Sequence, residues 1–176
     1  MEKENIFKRH ENRKDLTGEH KFGDLGQIAF FFIFLIVWAA DSFFVRYSTR
    51  FSDYAPLYTR IALAVVVFII AGYLAGRGLT IVFAEVREEP IVIRTGVFGV
   101  VRHPIYLGAI LFYLSLLVAF FSTIAAVVWV AIILFYIYLC KYEEKLLIEK
   151  FGSEYEQYKK TTPMLLPIKI RRKNKV

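Results

Sequence analysis

The sequence predicts an all-α integral membrane protein: a helical bundle of about four transmembrane helices, the last two forming a tight hairpin, plus a short cytoplasmic C-terminal helix. Hydrophobic residues make up 57% of the 176 residues, charged residues only 22%, and the mean hydropathy is +0.47. A soluble domain usually carries fewer apolar residues and about a quarter charged residues. The composition therefore indicates a protein whose surface lies largely in a lipid bilayer.

Four apolar stretches of 17 or 18 residues are long enough to cross a bilayer, and they cover residues 27–44, 57–74, 105–121 and 123–140. A spanning helix needs about 20 residues, at a rise of about 1.5 Å per residue. The alternative is a soluble bundle of buried helices. Helices of that kind carry a polar face, and the segment 28–40 has none.

Basic residues alternate in number between these stretches. Six Lys and Arg residues precede the first stretch, two follow it, four lie between the second and third, none between the third and fourth, and ten follow the fourth. Because basic loops stay on the cytoplasmic side, this alternation predicts that both termini are cytoplasmic. Near the outer ends of the first two stretches, Arg60 is expected to snorkel to the interface and Asp41 to be an interfacial residue or its partner.

The stretches divide the chain into an N-terminal arm at 1–26, two transmembrane helices at 27–74, a C-terminal core at 75–167 and a basic tail at 168–176. The arm is polar and does not resemble the start of a cleavable signal peptide. The tail is expected to hold anionic lipid headgroups. A length of 176 residues allows one domain, and a single cysteine, Cys140, excludes an internal disulfide and a multi-thiolate metal site.

The connections differ in length, and this constrains the bundle. The link at 121–123 is so short that the last two helices must form an antiparallel hairpin, whereas the loop at 75–104 is long and partly apolar and is expected to be ordered against the membrane face. The fourth helix is expected to continue beyond the apolar stretch and stop at Gly152. A short helix then follows, with Ser153 as N-cap and Glu156 three residues later.

Side chains that can do chemistry concentrate where the third helix begins. Arg102 and His103 precede Pro104, and Tyr106 follows in the first turn. A helix that starts at Pro104 presents free N–H groups and the positive end of its dipole, which suits a carboxylate or a phosphate. The alternative is a set of interfacial anchors, since Arg, His and Tyr all favour the headgroup zone. The other two histidines lie in the polar arm and are expected to be solvated.

A second cluster, Glu143 and Glu144, follows the fourth apolar stretch. Since the last link is so short, the cytoplasmic ends of the third and fourth helices must lie side by side, which predicts that both glutamates approach Arg102, His103 and Tyr106. A simple salt bridge between Arg102 and one glutamate is the alternative to a functional site. The sequence has no dinucleotide-binding or phosphate-loop signature and no His or Cys pair at metal-ligand spacing, so no metal is expected.

Two strings of residues resemble the membrane methyltransferases of the isoprenylcysteine carboxyl methyltransferase and phospholipid methyltransferase group. The first is GVFGVVRHPIYLG at 96–108, and the second is EEKLLIEKFGSEYEQY at 143–158, followed by two prolines. They occur in the family's order and are separated by one helical hairpin. The resemblance covers about residues 90–167, while the first two apolar stretches show no residue-level match.

The resemblance implies an enzyme that takes S-adenosylmethionine from the cytosol and methylates a lipophilic acceptor, either an isoprenylcysteine carboxylate or a related lipid. It also implies that the core at 75–167 holds the cofactor, with no nucleic-acid partner. The residues implied to be catalytic are Arg102, His103 and Glu144. The residues implied to bind the cofactor are Val101, His103, Tyr106, Leu107, Gly108, Glu143 and Glu144.

One departure from the family pattern leaves the acceptor open. Leu139 and Cys140 stand just before the glutamates, where some family members have an arginine that is thought to serve the substrate. A prenylated cysteine, a phospholipid amine, a quinone-like lipid and a small thiol all remain candidates. Two other function classes compete: an NADPH-dependent membrane reductase of the steroid and sterol reductase type, and a non-enzymatic membrane scaffold that uses its basic tail.

Overall fold

The computed structural model describes residues 23–49, 54–84 and 90–168, and these parts of the chain are mostly helical. In chain order the α-helices are α1 (Gly23–Ala39), α2 (Leu57–Leu79), α3 (Pro104–Phe120), α4 (Thr123–Phe151) and α5 (Ser153–Thr161). Short π-helical segments at Ala40–Val45 and Thr80–Ala84 continue α1 and α2, and a 3₁₀ turn at Gly96–Gly99 precedes α3. The predicted all-α class is confirmed.

Some predictions concern residues outside the described ranges. These are the polar arm with His10 and His20, and the basic run at 169–175. The long loop predicted at 75–104 is shorter than expected, because its first ten residues continue α2 and its π-helical extension to Ala84. Residues 90–94 have no regular helix and lead into the 3₁₀ turn.

Within the described ranges, three segments are long and apolar enough to cross a bilayer, namely Gly23–Val45, Leu57–Phe83 and Thr123–Phe151. They make the chain an integral membrane protein. The fourth predicted stretch corresponds to α3, an apolar helix of 17 residues. At about 1.5 Å per residue, α3 rises about 25 Å, slightly less than a hydrocarbon core of about 30 Å.

The helix ends follow local sequence rules, with one prediction wrong. Pro104 occupies the first turn of α3, and the Ser122 side chain caps α4 by accepting a hydrogen bond from the N–H of Ala125 at 3.1 Å. Gly152, with a φ of +54°, ends α4 as predicted. Ser153 is not an N-cap: it is the first residue of α5, and Gly152 precedes it without a side-chain cap. Gly152 takes both cap positions: it ends α4, and it is the residue before the first turn of α5.

We call the two ends of the bundle the Pro104 end, where α3 begins, and the Ser122 end, where it is linked to α4. The link is as short as predicted, and α4 lies beside α3, with Trp129 Nε1 donating to the Ile110 carbonyl at 3.0 Å. The most extensive helix contact of α3, however, is with α2. A Cβ on Gly108 would lie 2.8 Å from the Ala71 carbonyl oxygen, so the two backbones nearly touch. Small residues allow such close pairing in membranes.

The close α2–α3 contact leads to a stability prediction. Gly108→Ala is expected to destabilise the protein by about 1–3 kcal/mol, because the added methyl group meets the rigid backbone of α2. Gly72→Ala is the matched control: its Cβ would have no neighbour within 4 Å, so it should be neutral or stabilising by up to about 1 kcal/mol. Unfolding in detergent, followed by circular dichroism, compares the two variants, and equal effects would contradict the packing argument.

At the Ser122 end, Asp41 joins the first helix to the α3–α4 link. Its carboxylate accepts hydrogen bonds from the hydroxyl and the N–H of Ser48 and from the Ser122 hydroxyl at 2.5 Å. Arg60 instead donates to backbone carbonyls, among them that of Ala119 at 2.9 Å. Within the described residues Asp41 and Arg60 form no ion pair, so the serines rather than Arg60 are the partners of Asp41.

The start of α1 lies against α4 at the Pro104 end. A Cβ on Gly26 would come within 2.5 Å of the tip of the Phe135 ring, so only glycine lets α1 lie this close. Farther along α1, the Phe34 and Tyr113 rings pack edge to face with centroids 4.8 Å apart. These contacts bring the first turns of α1 to the same end as His103 and the glutamates.

Candidate functional site

The two clusters singled out in the sequence meet at the Pro104 end. The Tyr106 hydroxyl donates to Glu143 Oε1, and Nδ1 of His103 lies 3.5 Å from Glu143 Oε2. Nε2 of His103 lies 3.4 Å from Glu144 Oε1. The short link between α3 and α4 predicts this convergence, and the structure shows it. The roles implied for these residues toward a cofactor stay predictions.

Glu144 is the centre of a buried ion cluster. Its Oε1 lies 2.6 Å from Nη2 of Arg102 and accepts a hydrogen bond from Nε at 2.8 Å, while its Oε2 lies 3.0 Å from Nζ of Lys159. The Glu144 side chain is 6% exposed and that of Arg102 is 8% exposed. One carboxylate therefore joins three segments: the residues before α3, the end of α4 and α5.

Arg102 is fully engaged in this cluster. Its Nη1 donates to the carbonyls of Lys159, at 3.1 Å, and Thr162. The chain after α5 also pairs with the residues before α3, since the Arg102 N–H donates to the Pro163 carbonyl at 2.9 Å. The salt bridge that the sequence allowed as an alternative is thus present. The charge of Arg102 is thus paired within the protein, and its predicted catalytic role stays a prediction.

His103 is buried beside Tyr106, with the two rings stacked at 7° and centroids 5.8 Å apart. It is only 7% exposed, and its Nε2 has no hydrogen-bond partner of good geometry. Burial favours the neutral ring, but the neighbouring Cys140, Glu143 and Glu144 more than offset it and raise the pKa of His103 well above 6.5. The two glutamates therefore favour the protonated ring, and Nε2 lies near Glu144 without forming a well-oriented hydrogen bond.

This raised pKa has a consequence for stability. A histidine whose pKa rises on folding stabilises the protein below its unfolded pKa, and the contribution is lost as the pH rises through the folded pKa. We therefore expect the unfolding midpoint of the wild type to exceed that of His103→Gln by the most near pH 6, and the gap to narrow from pH 6.5 upward. Cys140 and Tyr106 also face the ring, so the measurement is the difference in unfolding midpoint between the wild type and the variant at each pH. A difference that does not change with pH would contradict the raised pKa of His103.

A cavity of about 350 Å³ opens at this cluster, within the range of about 300–1,000 Å³ typical of small-molecule sites. Its walls come from the start of α1, the end of α2, residues 91–93, the start of α3, the end of α4 and α5. The aromatic walls are Phe83, Phe98, Phe151, Tyr155 and Tyr158, and the polar groups include Asp24, Gln27, Arg102, His103, Tyr106 and Glu143.

Four of the residues implied to be in the site do not line the cavity. Val101 is fully buried behind it, Leu107 and Gly108 face the interior of the bundle, and Glu144 supports the cavity from behind through Arg102 and His103. Gly108 does allow a close helix approach, but the helix that approaches is α2.

Sequence reasoning missed much of the cavity wall. Tyr155 and Tyr158 lie within the second string, three residues apart, and Tyr158 donates to the Phe98 carbonyl at 2.6 Å. Their spacing on one helical face was an available signal. Asp24 and Gln27 had no such signal, because they lie in the first turns of an apolar helix that matches no motif.

A family model described as a protein of unknown function, DUF1295, matches residues 9–162. Over 68 residues the chain is 41% identical to methanethiol S-methyltransferase 1 of Bradyrhizobium diazoefficiens. That match covers 38% of this chain and 23% of the relative, so the chain is similar to only part of that protein. No solved structure matches.

Proposed function

The chain belongs to the DUF1295 family, and from the cavity at the Pro104 end and the partial likeness to a methyltransferase we propose that it is a membrane methyltransferase that uses S-adenosylmethionine. The observation that carries the proposal is that His103, Tyr106 and Glu143 face one aromatic-walled cavity between membrane helices. The partial likeness to a methyltransferase supports it. The charge pattern of the sequence supports a cytosolic position for this end and for both termini.

The residues present fit the cofactor. S-adenosylmethionine supplies, when bound, a methyl group on a positively charged sulfur. Glu143 offers a carboxylate to that charge, and the rings of Tyr106, Tyr155 and Tyr158 offer aromatic faces, which attract cations. The unpaired Nε2 of His103 provides a buried polar atom that a ligand can satisfy.

The chain's own contribution to the reaction is positioning, exclusion of water and proton transfer. Helix α5 and residues 91–93 line the cavity, and with the reactants bound these walls would limit the access of water to the reacting atoms. Arg102 and Glu144 hold the cavity wall in place through their buried ion pair. Glu143 is the group best placed to accept a proton from an acceptor that must lose one.

We propose a lipophilic acceptor that binds as a neutral group and loses its proton in the site, of which a thiol is the first candidate because the methanethiol enzyme is a partial relative. An isoprenylcysteine carboxylate fits less well. Two carboxylates, Asp24 and Glu143, line the cavity, and Arg102 is already paired with Glu144. An anionic acceptor would meet these carboxylates, while the positive charge of His103 is already held between Glu143 and Glu144.

The test is calorimetric binding of S-adenosylmethionine and, separately, NADPH to the full-length protein in detergent, followed by methyl transfer from labelled S-adenosylmethionine to methanethiol and to N-acetyl-farnesylcysteine. Selective binding of S-adenosylmethionine and methylation of the thiol are expected. Binding of NADPH alone would favour the reductase, and binding of neither would favour the scaffold. Methylation of the farnesylcysteine alone would overturn the preference for a neutral acceptor.

A further inference from the structure

A second concavity lies beside the cavity, within the apolar part of the bundle. This groove has a volume of about 400 Å³ and runs between α1 and α3, with α4 beneath it. Its lining residues are Gln27, Ile28, Phe31, Phe32, Ala109, Phe112, Tyr113 and Tyr136. The walls are largely apolar, and Ile28 and Phe32 are more than half exposed on the outer face of α1. The groove is thus open to the hydrocarbon region.

The groove and the cavity share one residue. Gln27 lines both, at the point where the apolar groove reaches the polar cavity. Next to it the rings of Tyr106, in the cavity wall, and Tyr136, in the groove wall, lie 5.1 Å apart. The two spaces therefore meet at a boundary made of an amide and two phenol rings.

The Gln27 side chain is available for a ligand at this boundary. Its Nε2 approaches Asp24 Oδ1 at 3.5 Å, the long limit for a hydrogen bond. The neighbouring Gly26 lets α1 lie close to Phe135 of α4, and this close contact positions Gln27 at the boundary. An amide carries both donor and acceptor groups, so it can hold a neutral thiol, hydroxyl or amine.

We propose that the groove binds the apolar chain of the methyl acceptor and that Gln27 holds its reacting group at the entrance to the cavity. This assignment rests on the proposed function. It places the acceptor site on the first helix, which carries no family motif. The occupant is a single-chain apolar thiol. A polar side chain at one end of an otherwise apolar groove matches a molecule with one polar end.

Chain length gives the first test. Each buried methylene group is worth about a fourfold change in binding, so kcat/KM should rise about fourfold per carbon from methanethiol to 1-hexanethiol and then level off once the groove is full. Ala109→Phe places a ring in the groove and should flatten this dependence, with the affinity for S-adenosylmethionine within twofold of the wild type. Phe32→Ala removes an exposed wall ring, cannot overpack the core, and should halve the gain per carbon. Phe44→Ala is its matched control, since Phe44 is an exposed ring near the other end of the same segment.

Gln27→Leu keeps the size of the side chain and removes the amide. It should lower kcat/KM at least tenfold for all thiols while leaving the dependence on chain length unchanged. This split separates a polar contact at the boundary from the apolar contacts in the groove. A loss equal to that of Phe44→Ala would overturn the role of Gln27.

A labelling experiment tests the groove without turnover. An alkanethiol with a terminal diazirine is crosslinked to the full-length protein in phosphatidylcholine vesicles, and labelled peptides are identified by mass spectrometry. Labelling is expected at residues 28–32 and 109–113 and should be displaced by 1-hexanethiol. Uniform labelling of lipid-facing residues such as Val127 would show that only bilayer lipid occupies the groove and would overturn the proposal. Absence of S-adenosylmethionine binding by the wild type would instead count against the proposed function.

Discussion

Replacing Glu144 with glutamine is expected to destabilise the protein by about 3–5 kcal/mol, because the change leaves a buried guanidinium without its counter-charge. Arg102 and Glu144 are both nearly inaccessible to water, and Glu144 also meets Lys159. Glutamine keeps the size of the side chain, so the loss reports charge rather than packing. The measurement is chemical unfolding in mixed detergent followed by circular dichroism.

Two comparisons make this result interpretable. Glu149→Gln removes a carboxylate from the same helix, but Glu149 pairs with Lys145 at 3.9 Å on an exposed surface, and such pairs contribute about 0–1 kcal/mol. Replacing Arg102 and Glu144 together by leucine should recover part of the loss, since apolar pairs can replace buried ion pairs. If Glu144→Gln were no more harmful than Glu149→Gln, the ion cluster would not hold the site together.

Glu143→Gln should have the largest effect on activity, lowering kcat/KM for methyl transfer by about 10²-fold or more. Glu143 lines the cavity and contacts both His103 and Tyr106. Glutamine cannot balance the positive charge of His103 or accept a proton from the acceptor. Initial rates with labelled S-adenosylmethionine and methanethiol, together with calorimetric affinities, separate loss of turnover from loss of cofactor binding.

The matched control for this activity loss is Glu154→Gln. Glu154 forms a solvent-exposed ion pair with Arg94 at 3.1 Å and does not line the cavity, so its replacement should change the rate by less than twofold. A loss of similar size in the two variants would mean that general electrostatics, rather than contact at the cavity, explains the effect of Glu143. An unchanged rate in Glu143→Gln would contradict the proposed role directly.

Much of the fold was predictable because a bilayer imposes simple rules on sequence. A spanning helix must satisfy all its backbone groups internally and present apolar side chains to lipid, so the helices appear as uninterrupted apolar stretches. Proline and glycine marked the start of α3 and the end of α4, since one fits the first turn of a helix and the other adopts a positive φ. The cap at Ser153 was wrong because Gly152 ends one helix and begins the next.

The site was predictable only as far as chain connectivity constrained it. A two-residue link between α3 and α4 forces His103 and Glu143 to the same end of the bundle, whatever the rest of the fold does. The one-residue link at Gly152 likewise keeps α5 at this end, although it does not set which of its side chains face the cavity. No such constraint acts on α1, whose side chains reach the cavity through contacts between distant parts of the chain.

By itself, then, the sequence determined the helical class, the membrane setting, the helix ends near Pro104 and Gly152, and the meeting of the two polar clusters, because each depends on local composition or on a short connection. Only the tertiary structure decided that Arg102 is already neutralised by Glu144, that Gly108 serves the contact with α2, and that the first turns of α1 complete the cavity. The reason is physical: burial and pairing of side chains depend on which distant helices pack together, and close-packed interiors fix that choice through shape and charge jointly.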